Sequence, residues 1–67
     1  MRELYDLLTS PADVNAGIAR RMTARRKEQK LTQAQLSSRA GVSLGSLKRF
    51  EQTGEISLSA LVKISFA

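Results

Sequence analysis

Cysteine, histidine and tryptophan are all absent from this 67-residue chain. Without Cys there is no disulfide to staple the fold and no thiolate metal site. Without His the usual imidazole ligand and general base are missing as well. No paired nucleophile and base, metal-ligand cluster or phosphate loop with its lysine occurs anywhere in the sequence, so an enzyme is the weakest reading and no cofactor or metal is expected. No apolar run approaches the roughly 18 residues of a membrane span. Met1 to Leu8 is too charged and too short for a signal peptide, which makes a cytoplasmic chain the default. Acidic residues are scarce too, six against eleven Lys and Arg, for a net charge of +5. That charge is uneven. From Arg20 to Arg49 nine Lys or Arg face the single acid Glu28, so this middle stretch carries +8 and the two ends together −3. A basic stripe on a small domain points to a polyanion as partner.

What is present is a small globular chain, 42% hydrophobic, of one domain. A core of this size rarely supplies more than about 3 to 5 kcal/mol without staples or a partner. The stretch Gln33 to Gln52 organises the rest. Leu36 and Ala40 are four apart and share one helical face, and Leu47 and Phe50 share another at a step of three. Between them Gly41 can take the left-handed conformation that ends a first helix, and Ser43 can cap a second. Two short helices joined by so tight a turn form a helix-turn-helix.

Upstream, Ser10-Pro11-Ala12-Asp13 is a helix start, with Ser10 as cap, Pro11 where its missing N–H is harmless, and Asp13 near the positive helix end. The helix is expected to run to about Gln29, burying a stripe of Val14, Ile18 and Met22 at steps of four. Gly17 inside it costs about 1 kcal/mol relative to Ala, which close packing of another backbone would explain. Arg20, Arg21, Arg25, Arg26, Lys27 and Lys30 crowd its second half, as a solvated face, as cations suited to a helix C-terminus, or as phosphate contacts. Thr32-Gln33-Ala34-Gln35 reads as a capping box. Downstream, Gly54 ends the second helix of the motif, and Ser57 caps a last helix bearing Leu58, Leu61, Val62, Ile64 and Phe66, more apolar surface than one stripe requires. Met1 to Thr9 is read as a short helical arm that folds back or frays, or as a self-association surface built from Leu4, Tyr5 and Leu8.

The run Leu31 to Ile64, LTQAQLSSRAGVSLGSLKRFEQTGEISLSALVKI, resembles the phage-repressor and Cro type of DNA-binding regulator, the xenobiotic-response-element family, with a weaker match back to about Ile18. Its Leu-Thr-Gln opening, Ala-Gly-Val-Ser turn and Arg-Phe-Glu close are in register, and Ser37 stands where the family usually has Ala. The resemblance implies an all-α, compact four- to five-helix domain over residues 10–67. It also implies an ion pair between Arg26 and Glu51, and in many members a fifth helix that completes the core and the dimer interface.

With Leu47 and Phe50 turned inward, the side of the recognition helix left for a DNA groove carries Leu44, Gly45, Lys48, Arg49 and Gln52. Arg49 is the leading base reader, since a guanidinium can pair bidentately with guanine. Leu44 suits a thymine methyl and Gly45 only lets the backbone come close, so direct readout is thin and DNA shape must share the work. Arg21, Arg25, Thr32, Gln33, Ser43 and Ser46 are the candidate phosphate contacts. The expected function is a sequence-specific regulator of double-stranded DNA, a repressor binding a palindromic operator as a homodimer in the nucleoid. Alternatives are an antitoxin with a toxin protein as partner, an interaction module that keeps the fold without reading bases, and, more weakly, a basic helix on a membrane surface.

Overall fold

The computed structural model describes residues 10–67; the arm expected over residues 1–9 lies outside them. The described chain is all-α, with helices α1 (Pro11–Glu28), α2 (Gln33–Ala40), α3 (Leu44–Thr53) and α4 (Leu58–Phe66).

Each helix start is fixed by a side chain one residue before it. The Ser10 hydroxyl accepts from the Asp13 N–H at 3.1 Å while the Asp13 carboxylate accepts from the Ser10 N–H at 3.2 Å, a reciprocal box around Pro11. That backbone N–H, helped by the Ser10 hydroxyl, holds the Asp13 carboxyl below its ordinary pKa. Thr32 and Gln35 make the same reciprocal box on α2 at 3.0 and 2.8 Å. Ser43 and Ser57 cap α3 and α4, each accepting from the N–H three residues on. Three of the helix ends are equally local. Gly41 (φ 71°) and Gly54 (φ 82°) close α2 and α3 in the left-handed region, where a side chain would be strained. The end of α1 uses Lys30 for the same turn at φ 58°. Lys30 and Leu31 there donate to the Lys27 and Arg26 carbonyls at 3.0 and 3.2 Å, the paired bonds of a Schellman motif made without glycine.

Ala19, Leu36, Leu47, Phe50 and Ile64 form the buried core, with Leu47 and Phe50 fully enclosed. Each of those two contributes about 1.5 to 3 kcal/mol by leaving water. Ile18, Met22, Leu31, Ala40, Val42 and Leu61 pack around them, half-buried. The expected α1 stripe of Val14, Ile18 and Met22 holds at Ile18 and Met22 and is corrected at Val14. Its most buried residue is Ala19, and Val14 is exposed. The reason is the partner: α1 packs chiefly on α3, and a methyl at position 19 leaves room for the two large side chains of α3. Close backbone approach is likewise misplaced at Gly17, whose missing Cβ would meet only the tips of Arg20 and Arg21. It occurs at Gly54, where a Cβ would lie 2.9 Å from the Asn15 carbonyl carbon and 3.0 Å from the Ala16 nitrogen.

Ser37 is buried, yet its hydroxyl donates to the Ala34 carbonyl at 2.9 Å, so the departure from Ala leaves no unsatisfied group. On α4 only Ile64 is buried, while Leu58 (77% exposed), Val62 and Phe66 (88%) recur every fourth residue along its open side.

Candidate nucleic-acid interface

Burying Leu47 and Phe50 fixes what α3 shows to solvent. Leu44, Gly45, Lys48, Arg49 and Gln52 are all exposed, one helical side left open by the fold. Lys48 and Gln52, four residues apart, line a shallow groove with Thr23 and Lys27 of α1 and Gln33 of α2. Three helices thus converge on one concave surface with two ammonium groups on its rim.

The floor of that groove is the Arg26–Glu51 pair. Arg26 Nε and Nη2 donate to Glu51 Oε2 and Oε1 at 2.8 and 3.0 Å, with the side chains only 10% and 8% exposed. Arg26 Nη1 also donates to the Leu31 carbonyl at 2.8 Å, and Gln33 Nε2 to Glu51 Oε1 at 3.0 Å. A fork-on-fork pair in which Arg26 Nη1 and Glu51 Oε1 each have a further partner is the arrangement in which a buried ion pair is tolerated. It joins α1, α2 and α3, and it aims Gln33: one amide hydrogen is committed to Glu51, and the other, with the amide oxygen, stays available toward the groove.

At the start of α2 the cap satisfies the Gln35 N–H, and the Thr32 carbonyl takes that of Leu36. The N–H groups of Gln33 and Ala34, the first two of the helix, remain for an outside acceptor, at the positive end of the helix dipole. The Thr32 hydroxyl still has its proton to donate. Ser43 and Ser46 divide their roles differently. The Ser43 hydroxyl accepts from the Ser46 N–H at 3.1 Å and donates to Ser46 Oγ at 2.8 Å, so Ser46 is left with the donor that can reach a phosphate.

Arg21 and Arg25 are each two residues from Thr23, which places them about 200° around the helix from the groove. Arg25 lines a hollow on the other side of α1, with Leu36 and with Ile64, Ser65 and Ala67 at the end of α4. Lys27, four residues after Thr23, is an α1 cation that lines the groove, and Arg20, three residues before Thr23, lies only about 60° around the helix from it. The sequence offers that distinction only as spacing from Thr23, and the reference point is a tertiary contact. Arg49 is exposed but engaged, its Nη2 donating to Glu55 Oε2 at 2.6 Å. Glu55, in the turn between α3 and α4, was not among the residues singled out by sequence, because nothing in the turn's composition marks a carboxylate that reaches back onto the preceding helix.

Among the described residues no buried side-chain nitrogen or oxygen lacks a hydrogen-bond partner, no helix is long and apolar enough to cross a membrane, and no cluster of acidic side chains is arranged to hold a metal ion. No match is found among curated proteins or solved structures. The family model described as HTH_3, Helix-turn-helix, matches residues 22–65, about two thirds of the chain, from the middle of α1 to the last turn of α4. With that match over the same four helices, the chain belongs to the HTH_3 family of Cro/C1-type helix-turn-helix domains, a family of DNA-binding regulators.

Proposed function

We propose that the protein is a sequence-specific repressor that binds a palindromic operator as a dimer, with α3 in the major groove. The observation that carries this reading is the convergence of Lys48 and Gln52 with Lys27, Gln33 and the start of α2 on one groove. An α-helix fits the major groove, and the flanking helix N-terminus and the Lys27 ammonium then fall where phosphates run. Lys48, Arg49 and Gln52 are the base readers, with Leu44 against a thymine methyl and Gly45 letting the backbone approach. Thr32, Gln33, Ser46 and Lys27 hold the backbone, and Ser43 serves mainly as the cap. A regulator of this kind works in the cytoplasm, on the nucleoid.

The dimer is supported by the open row of Leu58, Val62 and Phe66 on α4, which a second copy related by a two-fold axis can cover with its own. Two recognition helices in such a dimer meet half-sites about 34 to 36 Å apart, one turn of B-DNA. The same row also favours an antitoxin reading, in which a toxin protein covers it.

Selection of bound duplexes from a random pool at physiological salt tests the proposal. A palindromic consensus is the expected result. A consensus without two-fold symmetry would remove the dimer and keep the base reading, and recovery of no motif would leave an interaction module.

A further inference from the structure

The exposed face of α3 carries a contact that the proposed function does not use. Arg49 Nη2 lies 2.6 Å from Glu55 Oε2, and both side chains are largely in solvent, at 68% and 64% exposure. The backbone under Glu55 is nonetheless well fixed. Its N–H donates to Thr53 Oγ1 at 3.1 Å, and that hydroxyl donates to the carbonyl of Arg49 itself at 2.8 Å. Gly54, just before it, lies against the backbone of Asn15. Glu55 is therefore anchored to the last turn of α3 and to the residue whose side chain it meets.

One N–H of five is consumed by this contact, so the guanidinium keeps enough donors for a bidentate edge toward guanine O6 and N7. Toward phosphate the balance differs. A cation paired with a carboxylate releases fewer counterions from DNA than a bare one, and a carboxylate near the phosphate chain repels it. The pair thus leaves Arg49 able to read a base while subtracting it from sequence-independent attraction.

We propose that Glu55 is a specificity-determining residue, which positions Arg49 for base reading and withholds it from phosphate. The proposal rests on the DNA-binding reading above. Dissociation constants for the wild type, Glu55→Gln, Arg49→Ala and the double variant, on the selected consensus and on an unrelated duplex over a range of salt, test it. Glu55→Gln should lower the specificity ratio about fivefold, the upper range for an exposed pair. Most of that change should be tighter binding to the unrelated duplex, with a salt slope steeper by about 0.9. In the Arg49→Ala background Glu55→Gln should leave the ratio unchanged. An unaltered ratio in the single variant, or an equal gain on both duplexes with and without Arg49, overturns the role of Glu55 and leaves the DNA reading standing. A wild type that binds no duplex at any salt overturns both.

Discussion

Two glycines in left-handed turns look alike in sequence and differ in what surrounds them. Gly41 has nothing within 4 Å of where a Cβ would stand, whereas Gly54 has the Asn15 and Ala16 backbone at 2.9 to 3.0 Å. Substituting alanine at Gly41 should therefore cost only the left-handed penalty, about 1 to 2 kcal/mol. At Gly54 the same penalty is joined by overpacking against backbone that cannot rotate away, about 1 to 3 kcal/mol more. Urea denaturation of the two variants checks this, and equal losses would mean that α1 and the α3–α4 turn separate freely. That Gly54 stops a helix was legible in the sequence, because it follows the last periodic residue and precedes a cap. Its contact with Asn15 was not, since it joins segments almost forty residues apart. Lys30 was hidden for a different reason: a left-handed residue that is not glycine leaves no compositional mark.

At the scale of elements, the helices are each marked locally and joined by one polar centre. Caps at Ser10, Thr32, Ser43 and Ser57 sit one residue before helices, which is why the boundaries of the core motif could be read from spacing alone. The face of α1 was legible too, since Ile18 and Met22 pack against the core, but that Ala19 and not Val14 is its enclosed member could not be read from spacing. The choice is made by Leu47 and Phe50 across the interface. The Arg26–Glu51 pair was inferred from resemblance, and its branches to Leu31 and Gln33 make it a junction of three helices. Arg26→Ala or Glu51→Ala should each cost about 3 to 5 kcal/mol, because the partner is left as an uncompensated buried charge. For a domain of this size that approaches the whole of its stability, so circular dichroism should show either variant largely unfolded at 25 °C. Arg26→Met combined with Glu51→Leu should recover much of the loss, since neither charge is then stranded. A double variant no better than the singles would move the explanation from charge to shape.

For the whole molecule the decisive property is where the positive charge lies, not how much there is. The sequence states +8 between Arg20 and Arg49 without saying which cations share a side. Folding sorts them by their angle around α1 relative to Thr23, which borders the groove with Lys48 and Gln52. Lys27 and Arg20 fall on the groove side, while Arg21 and Arg25 fall away from it and Arg25 sits beside the end of α4. A cation in contact with phosphate contributes about 0.9 to the slope of log K against log salt, and one beyond a Debye length of about 8 Å contributes little. Lys27→Ala should accordingly flatten that slope by about 0.9 and weaken binding to consensus and unrelated duplexes alike, whereas Arg25→Ala should leave it nearly unchanged. Fluorescence anisotropy between low and physiological salt separates the two cases. Should Arg25→Ala flatten the slope and Lys27→Ala not, the duplex lies against the α4 side of α1, and α3 is not the helix in the groove.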